Sequence, residues 1–280
     1  MNLPYLTMLR PAQWLKNLML FFPPFLSGQM LLPGISGRGL LPFCAFCLVS
    51  SAGYIFNDLL DRERDKCHPQ KRLRALPSGA VGARGASLYA GFLLVSGLLL
   101  AGLFSGSILW LLLGYAVVTF SYSLRLKNIP VVDLFCISAG FLIRLQAGGE
   151  LFLIPISPWL FLTVFLLAVF LSTGKRLGET QSLGEGAAEH RVSLALYPSG
   201  FLAGTMYMTG SAVLVTYAMY ALNKSELIYT VPLCLFGLLR YILRVSSGQS
   251  GDPTESLLKD WTLLVVSLVW LLMVVWSIYR

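Results

Sequence analysis

The sequence predicts an all-α, polytopic integral membrane protein. Only 12% of its 280 residues are charged and mean hydropathy is +0.72, whereas soluble domains carry about 25% charged residues. The apolar residues gather into nine runs, each near the ~20 residues a helix needs to cross the hydrocarbon core. The basic residues fall almost entirely on one side of those runs. No hydrophilic stretch is long enough for a second domain, so residues 1–280 read as a single membrane domain.

In chain order the expected spans lie near 14–32, 39–60, 86–104, 107–124, 131–150, 157–174, 200–222, 226–244 and 260–278. The first contains Pro23-Pro24, which should bend or break it, because proline removes a backbone donor and clashes with the preceding turn. The third and fourth are separated only by Ser105-Gly106-Ser107, a tight hairpin. The longest polar segment, roughly 61–84, reads as a loop. No internal repeat is visible, and MNLPYLTMLRPAQWLKN lacks the pattern of a removable signal peptide.

All but four of the 21 Lys and Arg residues fall on one face. Arg38, Lys224 and Arg280 lie opposite, and Arg144 falls within a span. Retention of positive charge inside places the N-terminus in the cytoplasm, and the nine spans then put the C-terminus outside. The same rule accounts for the net charge of +8 without a nucleic-acid partner, although anionic membrane lipid remains a natural contact. Of the 13 acidic residues only Glu150 and Glu226 lie on the far side. Positive-charge retention does not explain that, and both signs converging on one face mark a candidate site at the cell membrane.

Four of the five cysteines, Cys44, Cys47, Cys136 and Cys234, sit in apolar runs, where cysteine behaves as a small hydrophobe. Cys44 and Cys47 have CxxC spacing without further ligands, and the odd total argues against a disulfide framework.

The strongest local signal is SSAGYIFNDLLDRERDKCHPQKR, residues 50–72. If the helix continues through it, Asn57, Asp61 and Asp65 share one stripe at i, i+4 and i+8, with Asp58 a turn from Asp61. Clustered carboxylates repel unless a cation sits among them. Mg²⁺ is held this way, by one or two carboxylates plus substrate phosphates, so Asn57, Asp58, Asp61 and Asp65 are candidate metal ligands. The competing reading is a solvated helix end of mixed charge. Lys71, Arg72 and Arg74 follow the carboxylates. Lys16 and Asn17 open the first span, Arg125, Lys127 and Asp133 flank the loop between the fourth and fifth spans, and Lys175, Arg176 and Glu179 end the sixth span. Ammonium and guanidinium groups bind phosphate through charge-assisted hydrogen bonds, and each also suits simple cytoplasmic anchoring.

Arg144 is separate, some three turns into an apolar run with Gln146 nearby. Such a charge costs roughly 2.5–3.5 kcal/mol on insertion scales and usually faces a partner or cavity. A structural carboxylate and a substrate phosphate are both open to it. The two histidines, His68 and His190, form no nucleophile–base arrangement, and no G-x-x-x-x-G-K-[ST] phosphate loop is present.

NDLLDRERD at 57–65 resembles the NDxxDxxxD motif of the UbiA superfamily of intramembrane prenyltransferases, and RALPSGAV at 74–81 is similar to the segment that follows it there. The resemblance implies a UbiA-type bundle of nine helices and a Mg²⁺-bound diphosphate donor. The second aspartate-rich motif usual after helix six is replaced by GKRLGE at 174–179. LRPAQWLKN (9–17), HPQKR (68–72), YSLRLKNIPVVD (122–133), GFLIRLQAGG (140–149), GKRLGE and LLKDW (257–261) instead resemble the decaprenyl-phosphate phosphoribosyltransferase branch.

That branch implies transfer of phosphoribose from phosphoribosyl pyrophosphate to a polyprenyl phosphate, with release of pyrophosphate and a product for cell-wall arabinan. Asp58, Asp61 and Asp65 would be the catalytic carboxylates, holding Mg²⁺ with Asn57. Lys16, Asn17, Lys71, Arg72, Arg74, Tyr122, Lys127, Asp133, Arg144, Lys175, Arg176 and Glu179 would line the substrates. The alternatives are a conventional prenyltransferase with an isoprenoid diphosphate and an aromatic or lipid acceptor, and a transporter. Transporter sites lie near the midplane on broken helices, whereas these charges gather at one face. A homo-oligomer is left open.

Overall fold

The computed structural model describes residues 4–66, 71–183, 192–224 and 226–280. Cys67, His68, His190 and Arg191 therefore lie outside the described residues. Eight described helices are long and apolar enough to cross a membrane. They are α1 (Ile35–Leu60), α2 (Ala83–Phe104), α3 (Gly106–Leu124), α4 (Val132–Phe152), α5 (Pro158–Leu183), α6 (Phe201–Leu222), α7 (Val231–Ser246), which reaches span length with the 3₁₀ turn Leu227–Thr230 before it, and α8 (Trp261–Tyr279). Each lies within a few residues of an expected span, except that α5 runs on to Leu183 and carries Lys175, Arg176 and Glu179 on its last turns.

The expected first span takes a different form. A 3₁₀ helix, Pro11–Phe21, passes directly into a short α-helix, Phe22–Leu26. Pro23 and Pro24 fall in the first turn of that α-helix, where a missing N–H costs little. With a 3₁₀ rise of about 2.0 Å per residue and an α rise of about 1.5 Å, the two pieces extend about 30 Å. The eight long helices are thus accompanied by a stretched ninth segment, which has fewer residues than an α-helical span but reaches about the same length.

The chain divides into two compact units, residues 1–127 with 139–155, and residues 128–138 with 156–280. In the first, α1 and α2 pack through small residues. Ala86, Ala90, Leu93, Gly97 and Ala101 form the buried stripe of α2, while Leu88, Phe92, Val95, Leu99 and Leu103 form its exposed one. Both stripes follow the 3.6-residue period. Large apolar side chains outside and small ones inside is the arrangement suited to lipid, where close backbone approach drives helix association. A Cβ on Gly97 would come within 2.7 Å of Val49 Cγ2 and 2.9 Å of the Ala45 carbonyl. Between α2 and α3 the chain reverses through Ser105 alone, in extended conformation.

In the second unit, α5, α6 and α7 close around Phe170, Met206, Val213, Leu238, Tyr241 and Val245. The loop that follows α7 crosses α5 closely. A Cβ on Gly178 would stand 2.6 Å from the Gly251 nitrogen, so this crossing admits no larger residue without a backbone shift.

Candidate functional site

The acidic segment departs from one continuous helix. α1 ends at Leu60, Asp61 caps it, and a new helical turn spans Arg62–Lys66. The bonds Asp61 N–H to Asn57 O (2.9 Å) and Asp65 N–H to Asp61 O (2.8 Å) carry the helical spacing through the break. The side chains then sort into two sets rather than one stripe.

Asn57 and Asp61 meet Lys127. Its ammonium donates to Asn57 Oδ1 at 3.1 Å and to both Asp61 oxygens at 2.7 Å. Lys127 stands on the 3₁₀ turn Leu126–Asn128 just after α3 and is itself buried. Asp58 and Asp65, seven residues apart and hence on one helical face, meet the guanidinium of Arg74, at 3.2 and 2.9 Å. Arg10 Nη2 donates to both Asp58 oxygens at 2.6 and 2.7 Å, and Lys71 lies 3.7 Å from Asp65. All three aspartates are therefore charge-paired with basic residues from three other segments. Asp58 and Asp65 are buried, Asp61 half-buried, and Arg72 and Lys16 exposed.

Among the described residues, no three Asp, Glu, His or Cys side chains converge as a ready metal cage. The donor set still suits Mg²⁺. Hard carboxylate and amide oxygens from Asn57 and Asp61 already surround one cation, the Lys127 ammonium, and Mg²⁺ takes one or two protein carboxylates with the remainder from phosphate and water.

Asn17 and Arg144 belong to a different cluster in the same unit. Arg144, 4% exposed, donates to Asn17 Oδ1 (2.7 Å), the Gly140 carbonyl (2.8 Å) and the Tyr115 hydroxyl (2.8 Å). Its guanidinium also lies 4.3 Å from the centre of the Tyr115 ring. Asn17, Gly140 and Tyr115 are neutral, unlike the carboxylate or phosphate left open by the sequence. Asn17 reaches on to Cys47 Sγ and Ser50 Oγ, pinning the 3₁₀ segment to α1.

The second unit holds its own polar cluster. Asp133, fully buried at the start of α4, accepts from Arg176 Nε at 2.8 Å and from the Tyr197 hydroxyl at 2.8 Å. Arg176 also reaches Glu179 at 2.9 Å. Tyr197 in turn accepts from the Val131 N–H at 2.7 Å. Val131 has φ 67°, a region β-branched residues rarely enter, and this bond helps hold it there. Burial, together with the bond to Asp133, raises Tyr197 to about 12, so its hydroxyl stays a donor at neutral pH. Lys175 pairs with Asp252 at 3.0 Å. Tyr122, in the first unit, is half-buried near the end of α3.

Sequence reasoning singled out none of Arg10, Tyr115, Tyr197 or Asp252. Arg10 stands in the resembling segment LRPAQWLKN without a role assigned to it, although an Arg-Pro step before a helix is a local oddity, and here Arg10 has φ 53°. Asp252-Pro253 is a legible helix start, with Asp252 capping Thr254 and Glu255. Tyr115 and Tyr197 carry no sequence signal.

A match to the UbiA prenyltransferase family spans residues 21–264. The chain is 32% identical to a decaprenyl-phosphate phosphoribosyltransferase of Mycolicibacterium smegmatis, covering 94% of this chain and 88% of that protein. It is 31% identical to the enzyme of that name from Corynebacterium glutamicum, over 97% of this chain and 85% of the relative. Among solved structures, a UbiA homolog from Archaeoglobus fulgidus bound to GPP and Mg²⁺ superposes with a TM-score of 0.73. That alignment has 20% identity and covers 99% of this chain and all of the other. The chain is an all-helical, multi-pass membrane protein, and it belongs to the UbiA prenyltransferase family.

Proposed function

We propose that the protein transfers 5-phosphoribose from phosphoribosyl pyrophosphate to a decaprenyl-like polyprenyl phosphate, with Mg²⁺, releasing pyrophosphate at the cytoplasmic face of the cell membrane. The observation that carries this is its 30–32% identity, over nearly the whole chain, to relatives named decaprenyl-phosphate phosphoribosyltransferase. The family match runs through both units, which supports one catalytic domain. The 3₁₀ helix and the α-helix that continues it, together long enough at about 30 Å to cross the hydrocarbon core, support nine crossings, and the Arg10 contact to Asp58 at the end of α1 supports an N-terminus on the same side as the basic 61–84 loop.

The site chemistry agrees with this reaction. As the ribose C1–O bond breaks, negative charge grows on the leaving diphosphate and C1 becomes oxocarbenium-like. Mg²⁺ when bound supplies Lewis-acid neutralisation of that charge. Asn57, Asp58, Asp61 and Asp65 would hold the ion. Arg10, Lys71, Arg74 and Lys127 bind and orient phosphate oxygens through charge-assisted bonds, with Arg72 and Lys16 at the exposed edge. In the second unit, Lys175 and Arg176 supply charge for a further phosphate, of the ribose or the lipid. Asp133 and Glu179 hold Arg176 in place. Because the acceptor's second phosphate pKa is about 6, its oxygen is already ionised and no strong base is needed. That suits a site rich in Asp, Lys and Arg.

The test is direct. Purified protein is incubated with Mg²⁺, labelled phosphoribosyl pyrophosphate and polyprenyl phosphate, and label should move into the organic phase. Alanine at Asp58 or Asp61 should abolish that transfer while the protein still elutes as a folded particle. Label passing from a prenyl diphosphate to an aromatic acid, with none from phosphoribosyl pyrophosphate, would overturn the assignment.

A further inference from the structure

We infer that Lys127 is a tethered counter-ion that holds the metal-binding oxygens of Asn57 and Asp61 until a diphosphate arrives, so that metal loading depends on the phosphorylated substrate. The inference rests on the metal-dependent reading above.

Its basis is the position of one nitrogen. Lys127 Nζ sits where Asn57 Oδ1 and both Asp61 oxygens converge, at 3.1, 2.7 and 2.7 Å. Mg²⁺ bound to the same oxygens at about 2.0–2.1 Å would fall inside that space. Two cations so close among largely buried side chains repel strongly, so the ammonium must leave when the metal enters.

Lys127 is suited to leave. Its flexible stem carries a rotatable point charge, in contrast to the planar fork of arginine, which holds Asp58 from both Arg10 and Arg74. Leaving Asp61 is costly unless another anion balances the ammonium, because the side chain is only 8% exposed and separating a buried pair weakens both charges' compensation. The anionic oxygens of a diphosphate supply that balance. Metal and diphosphate therefore reinforce each other, and the coupling is reciprocal. Free metal binds weakly, which keeps the carboxylates neutralised between turnovers.

Mn²⁺ binding to the purified protein, measured by equilibrium dialysis at matched free Mn²⁺ with and without inorganic pyrophosphate, tests this without any turnover. Wild type should bind Mn²⁺ weakly alone and about tenfold or more tightly with pyrophosphate, within the usual range of coupling. Lys127→Met should bind Mn²⁺ alone about tenfold more tightly than wild type, with the pyrophosphate effect clearly smaller than in wild type. Lys127→Arg, which keeps the charge, should leave metal binding weak. Lys127→Gln gives the same readout as Met if Met does not fold.

An ion pair that only braces the fold would leave the pyrophosphate effect in Lys127→Met or Lys127→Gln as large as in wild type, and that result overturns the inference while sparing the metal reading. Absence of Mn²⁺ binding to wild type even with pyrophosphate removes both.

Discussion

Replacing Arg144 by methionine should weaken the folded bundle by at least about 3 kcal/mol, though it deletes a charge from a membrane span. Two effects oppose each other. Relief from desolvating the guanidinium is bounded by its insertion cost of about 2.5–3.5 kcal/mol. Against that stand the bonds to Asn17, Gly140 and Tyr115, all 2.7–2.8 Å, and hydrogen bonds to a charged group contribute roughly 1.5–3 kcal/mol each. The Tyr115 ring at 4.3 Å adds about 2 kcal/mol for a desolvated cation–π contact. The lost contacts therefore outweigh the relief, and Asn17 Oδ1 and the Tyr115 hydroxyl lose a buried partner as well. The measurement is unfolding in mixed micelles by SDS titration, followed by tryptophan fluorescence. Arg144→Met should unfold at a clearly lower SDS fraction, and Arg144→Lys should rescue little, because a point charge cannot reproduce bonds in three directions. Arg144→Met unfolding at or above the wild-type midpoint would refute the reasoning.

Asp133→Asn should cost about 3 kcal/mol, because it leaves the buried Arg176 without its fully buried partner. The contact to Glu179, which is 31% exposed, persists and keeps the loss at the low end, and the same titration measures it. Asp252 links pH to the 248–259 segment. Burial raises its carboxyl, but the Lys175 charge and bonds from Thr254 and Glu255 outweigh that and leave it below the ordinary 3.8. A depressed folded value gives stability that is present above the unfolded value and lost as pH falls through the folded one. Amide exchange across Pro253–Lys259 should therefore stay slow from neutral pH down to about 4 and, once corrected for the intrinsic pH dependence, quicken only below it. Loss of protection already between pH 7 and 5 would contradict this.

The spans were legible because lipid imposes a strong local rule, and α1 to α8 begin or end within a few residues of the apolar runs. The stretched N-terminal segment was only half legible. Pro23-Pro24 announced an interruption, but a 3₁₀ helix over Pro11–Phe21 depends on packing through Asn17 and Leu20, both fully buried, and no periodicity reports that. The carboxylates were legible as a group but not in their pairing. Helical spacing puts Asn57 with Asp61 and also Asp58 with Asp65, and the choice is made by Lys127 and Arg74, 66 and 9 residues from their aspartates. Arg144 could be read as a buried charge in need of partners, while the partners lay 127 and 29 residues away in sequence. Burial and period are local properties, and cross-chain contacts are not.

The one-residue reversal at Ser105 bears on how the protein is made. Two helices of 22 and 19 residues joined so closely favour entry into lipid as a hairpin, because a one-residue link holds the start of α3 at the membrane surface as soon as α2 has crossed. A charged substitution in the middle of α3 should therefore lower the insertion of α2 as well, and lengthening the link at residue 105 should relieve that effect.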